Sequence, residues 1–133
     1  MQIDLRIASS KPVAEIVDFA RCCEDAGFSG LGFVDSHTFL RDVYVVMAQV
    51  LQNTERIRVR PAVTCPGPRH TSVIASVAKT VQELGPDRFE LGLDEEARPT
   101  LHELRAFKEV IGPAFNILTD LLTQAWLMRA RAG

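Results

Sequence analysis

Arg69 and His70 stand side by side at the end of the stretch VRPAVTCPGPRHTSV, where Pro66-Gly67-Pro68 stiffens the loop and a new helical periodicity begins. A guanidinium placed there is a rigid donor fork for a carboxylate or another anion, and an imidazole can donate, accept or relay a proton near neutral pH. A second such constellation lies earlier, in FVDSH, where the carboxylate of Asp35 comes two residues before His37 and could orient it. His37 and His70 thus sit where proton chemistry could be done. Each has a plainer alternative. Arg69 and His70 could simply cap the following helix and face solvent, and Asp-Ser-His could form a turn after its strand. A third cluster, Asp94, Glu95 and Glu96, is acidic, but no ligand spacing joins it to a histidine, so a solvated loop is expected and no metal site.

These residues need a scaffold, and the composition supplies the material for one. Of the 133 residues 47% are hydrophobic and 24% charged, the balance of a chain that folds around one core. Fifteen basic side chains against 17 acidic ones give a net charge of -2 with no basic stripe, so nucleic acid is not an expected partner. No apolar run reaches the ~18 residues of a membrane span, and the N-terminus reads as a strand rather than a signal peptide. A cytoplasmic location is the expectation. Cys22, Cys23 and Cys65 are an odd number with two adjacent, which favours reduced thiols over a disulfide framework.

Short β-type segments occur at Gln2 to Ala8, Gly30 to Val34, Ile57 to Val63 and Arg88 to Leu93, with starts roughly 27 to 31 residues apart. Between them lie helical faces: Val13, Ile16, Val17, Ala20 and Cys23; Tyr44, Met47, Ala48 and Leu51; Val73, Ile74, Val77, Ala78, Val81 and Leu84. Ser10 and Pro12 suit the first helix start and Gly27 its end. The alternation predicts four parallel strands joined by right-handed crossovers. After Leu93 the pattern changes. Thr100 to Glu103 has the form of a capping box, and a last helix is expected from Phe115 to roughly Ala130, with an apolar arc that either crosses this chain's own sheet or meets another subunit.

Four strands cannot close into a barrel, and a complete (β/α)8 barrel takes about 250 residues. The expected architecture is thus a single α/β domain over 1–133: a half TIM-type barrel of βα repeats over 1–93, followed by an acidic turn and two C-terminal helices over 94–133. Open strand edges need pairing or cover, so a homodimer or higher homo-oligomer is expected.

The segments EDAGFSGLGFVDSH, RDVYVVMAQVLQNTERIRV and PAVTCPGPRHTSVIASVAKTVQELGPDRFELGL together resemble the N-terminal half of the bacterial luciferase-like monooxygenase superfamily, over about Met1 to Leu93. That group contains flavin-dependent monooxygenases and deazaflavin-dependent dehydrogenases and reductases. The resemblance implies a TIM-type barrel with FMN or a deazaflavin of the coenzyme F420 type at the carboxyl ends of its strands. It also implies cofactor contacts from Asp35, Thr64, Cys65, Arg69 and Gly92, and makes His37, beside the ring, and His70, on the substrate side, the candidate catalytic residues. A non-proline cis peptide is implied near Ala62. The pattern departs at Ser36, where histidine is common, at Cys65, where asparagine is common, and at Asp94-Glu95-Glu96, where a glycine-rich run is usual. Two readings of function follow. One is a flavin- or deazaflavin-dependent oxidoreductase acting on a small molecule; the other is a non-catalytic half-barrel kept for assembly or binding.

Overall fold

In the computed structural model, residues 2–36, 38–64 and 68–92 are described, apart from the side chain of Thr71. Six elements alternate: β1 (Asp4–Ala8), α1 (Val13–Asp25), β2 (Gly30–Val34), α2 (Val43–Asn53), β3 (Arg58–Pro61) and α3 (Thr71–Leu84). The strands are parallel in the order β1-β2-β3, in rows such as Asp4–Gly30–Arg58 and Arg6–Gly32–Arg60. This is the start of a (β/α) barrel. The two expected C-terminal helices and the acidic turn lie outside the described residues.

The fourth expected strand, from Arg88 onward, runs parallel beside β3, and among the described residues the bridge between them is Val59 to Phe89. Val59 N–H donates to Arg88 O at 2.7 Å and Glu90 N–H to Val59 O at 3.0 Å. The next rung needs an N–H at position 61, and Pro61 has none. The two segments rejoin at Thr64, whose N–H donates to Gly92 O at 2.9 Å.

Alternation along the strands sends Leu31, Phe33, Val59, Phe89 and Leu91 toward the helices, where they meet Ile16, Ala20, Met47, Val50, Ile74 and Ala78 in one core. Cys23 joins that core and Cys22 is exposed, as their positions on α1 require. Val73 departs from the expected apolar face of α3: it sits in the first turn and is 53% exposed.

Parallel sheets usually bury apolar side chains on both faces. Here the second face carries charge instead. Asp4 on β1 reaches Arg58 (3.5 Å) and Arg60 (3.3 Å) on β3, and Arg58 continues to Glu90 (3.0 Å). The bridges pass over β2 because β2 offers Gly30 and Gly32 to that side. A Cβ at Gly30 would lie 2.9 Å from the Asp4 carboxylate, so a side chain there would occupy the path of the ion pair.

α1 ends in a Schellman arrangement: Phe28 N–H donates to Cys23 O, Gly27 N–H to Glu24 O, and Gly27 takes φ 85°. At that end the Glu24 carboxylate accepts the backbone N–H groups of Glu55, Arg56 and Ile57, fixing the turn into β3. Burial by itself would raise the Glu24 pKa, but the three N–H donors and the Arg56 charge outweigh it, and the carboxyl is held below its ordinary value. A lowered folded-state pKa adds stability that is present above the unfolded value and lost as pH falls through the folded one. Glu24→Gln should therefore cost about 2 kcal/mol at neutral pH. In urea unfolding followed from neutral pH into the acid range, the parent should lose its advantage over the variant.

Candidate functional site at the strand ends

The carboxyl ends of β2 and β3 and the N-terminus of α2 converge on one carboxylate. Asp35 follows β2 directly, and its side chain is only 3% exposed. Its Oδ2 accepts from Arg69 Nη1 at 2.7 Å and from Thr64 Oγ1 at 3.1 Å. Arg69 in turn uses Nη2 to reach Asp42 Oδ2 at 3.0 Å, and its guanidinium lies over the Tyr44 ring, 5.4 Å from the centroid. Asp42 is the N-cap of α2: its other oxygen accepts from the N–H groups of Tyr44 and Val45. The Tyr44 hydroxyl closes the group at 2.8 Å from Thr64 Oγ1.

Proton directions in this cluster are forced by chemistry. A carboxylate only accepts, so the single hydroxyl proton of Thr64 goes to Asp35, and Tyr44 must donate to Thr64. The chain of bonds runs Tyr44 to Thr64 to Asp35, with Arg69 neutralising its end. Burial pushes the Tyr44 phenol well above the ordinary tyrosine range, and the Asp35 charge adds to the rise. Burial would lower the Arg69 pKa, but its bonds to Asp35 and Asp42 prevail and leave it above its ordinary value.

Five of the seven site residues expected from the sequence fall within the described residues. Asp35, Thr64 and Arg69 are brought into direct contact. Thr64 is fully buried with its hydroxyl committed to Asp35, so its side chain is a tie between strands. Gly92 is placed beside β3, and a Cβ on it would lie 2.8 Å from Pro61 O; the space glycine leaves is taken by the chain's own backbone. His70 stands apart from the cluster. It is the N-cap of α3 and exposed, with Nδ1 accepting from the Ser72 N–H at 3.3 Å, an arrangement that puts its proton on Nε2. The capping alternative therefore fits His70, whereas Arg69 turns inward. His37 and Cys65 lie outside the described residues. The peptide bond between Ala62 and Val63 is cis, at the place the resemblance implies.

Two members of the cluster escaped the sequence reading. Tyr44 was placed only on the apolar face of α2, although it is the one polar tip among that helix's buried side chains and buried tyrosines usually find a partner. Asp42 carried the N-cap signal of an acid before an apolar run.

A family profile described as luciferase-like monooxygenase matches residues 2–100 of the 133. The chain belongs to the luciferase-like monooxygenase family. Among curated proteins it is 31% identical over 93 residues to the 5,10-methylenetetrahydromethanopterin reductase of Methanolobus tindarius, a match covering 70% of this chain and 28% of the relative. The chain thus spans less than a third of that relative's length. Among solved structures, the coenzyme F420 dependent tetrahydromethanopterin reductase from Methanopyrus kandleri superposes with a TM-score of 0.68 at 18% identity, covering 83% of this chain and 39% of that one. Apo-MsnO8 gives a TM-score of 0.59 at 19% identity, covering 83% and 37%. These likenesses fix the fold as part of a luciferase-like barrel. Among the described residues no group of histidine, cysteine and acidic side chains could hold a metal ion, and no helix is long and apolar enough to cross a membrane.

Tyr44 is the only tyrosine in the sequence, so tyrosinate absorbance reports on the cluster alone. An alkaline titration should show no tyrosinate until pH has passed well beyond the ordinary tyrosine range of about 10. Thr64→Val should change the midpoint, and a parent midpoint near 10 would contradict the buried geometry.

Proposed function

We propose that this chain seats a deazaflavin of the coenzyme F420 type at the carboxyl ends of β1, β2 and β3 and serves as an oxidoreductase half-barrel. The observation that carries the reading is the set of strand ends tied together by Asp35, Thr64 and Arg69, which holds the β3 turn rigid where barrel enzymes of this architecture place their cofactors. The coenzyme F420 dependence of the similar tetrahydromethanopterin reductase from Methanopyrus kandleri favours deazaflavin over FMN.

The residues at the turn suit a flat, polar-edged ring. Val63 is 42% exposed, which offers an apolar contact surface, and its backbone N–H has no partner among the described residues. A deazaflavin, when bound, accepts or returns a hydride at a ring carbon. The chain's own groups supply the setting. The Val63 N–H would donate to a ring carbonyl, the bond from Thr64 to Asp35 holds the adjoining backbone, and the exposed His70 would offer its Nε2–H toward substrate. His37, two residues beyond Asp35, is the proposed proton-handling side chain on the β2 side. In this reading a second copy pairs with the outer edge of β1, which is unpaired among the described residues, and the cofactor-binding species is a homodimer.

Spectroscopic titration of the full chain with oxidised coenzyme F420 and, separately, FMN tests the proposal. Binding of the deazaflavin should be on the order of micromolar and tighter than that of FMN, and Arg69→Ala should weaken it by about tenfold, or ~1.4 kcal/mol. Light scattering of the titrated sample should give twice the chain mass. Absence of binding to both would overturn the oxidoreductase reading in favour of a non-catalytic half-barrel.

A further inference from the structure

Ser9, the residue after β1, is fully buried, and its Oγ has no hydrogen-bond partner. Along with Gln82 Oε1 it is one of two such side-chain atoms among the described residues. A buried hydroxyl left without a partner is costly, and nearly all such groups in folded proteins have one. The backbone around Ser9 is fixed, because its carbonyl accepts from both the N–H and the Nη1 of Arg41 at 3.3 Å. What is free to move is the one side-chain dihedral.

The strand register says where that rotation leads. Ala8 is paired with Val34 in the last row of β1 and β2, and Ser9 and Asp35 are the residues that directly follow the two strands. Continuing the alternation one step past Ile7 and Phe33 would put both side chains on the helix side of the sheet, where those two residues pack. Side chains directly opposite each other on neighbouring strands are within hydrogen-bonding reach. Asp35 has the complementary need: Thr64 and Arg69 both bond to Oδ2, and no donor among the described residues is directed at Oδ1.

We propose that Ser9 is a positioning residue for the strand-end site, its hydroxyl donating to Asp35 Oδ1. The carboxylate then takes donors on both oxygens, and the tie extends from β2 and β3 to the end of β1. A single acid would join three consecutive strand ends, and its plane could not turn. This does not depend on deazaflavin binding, and its test needs none.

The test is a double-mutant cycle on the full chain, Ser9→Ala with Asp35→Asn, read by urea unfolding, together with a proton NMR search for a slowly exchanging hydroxyl at Ser9. The expected result is a loss of stability in Ser9→Ala, and a coupling of roughly threefold or more in the unfolding constant between the two changes. The Ser9 hydroxyl proton should show a through-space contact to the Asp35 side chain that disappears in Asp35→Asn. Because Ser9→Ala removes a single atom, the variant should fold. A midpoint that rises in Ser9→Ala, as removal of a truly orphaned hydroxyl would produce, or strict additivity of the two changes, would overturn the proposal.

Discussion

A carboxylate withdrawn from water has to be paired, and that requirement organises this end of the molecule. The Asp35 side chain is 3% exposed and Arg69 14%, so the two charges share a poorly hydrated space, and removing one would leave the other uncompensated at a cost of about 3–5 kcal/mol. Arg69 reaches Asp35 only because the loop after β3 folds back over the start of α2. There the same guanidinium meets Asp42 and the Tyr44 ring, so one cation fixes the β2 end, the α2 N-cap and the loop entering α3. The Thr64 hydroxyl brings in β3. Rigidity at the strand ends is a consequence of charge burial, and any ligand bound there meets a surface whose backbone groups are already in place.

The opposite face of the sheet answers a different constraint. A whole barrel fills its inner side with bulky apolar residues. In this chain that side is crossed by the Asp4, Arg58, Arg60 and Glu90 ion pairs running over Gly30. Such a face tolerates water and is far less adhesive than an apolar one.

Much of this was legible in the residues. Helical spacing located the three described helices, because amphipathic periodicity follows directly from burial on one side, and the short β-type segments located β1, β2 and β3. The strand from Arg88 was also visible, but Pro61 sits on the neighbouring strand, and a missing donor there is not seen by looking at the segment itself. Asp35, Thr64 and Arg69 were identified as site residues by resemblance. That they bond to one another was not visible, since 34 residues separate Asp35 from Arg69 and only the parallel packing of β2 and β3 joins them. The charged face was written in DLR and RVR, whose charges fall on alternate positions in the same way as the glycines of GLG. The general rule that parallel sheets are apolar on both sides concealed it. His70 illustrates the reverse case: the same residue satisfies a capping rule and a motif, and geometry assigns it the cap.

Hydrogen–deuterium exchange on the full chain carrying Asp35→Ala tests the organising role of this carboxylate most directly. If the acid ties the strand ends, amides in the first turn of α2, from Tyr44 to Val46, and at Thr64 should lose protection together, while those of Leu31 to Phe33 keep theirs. Loss of protection confined to the residues adjoining position 35, with Thr64 and α2 exchanging as in the parent, would contradict the account.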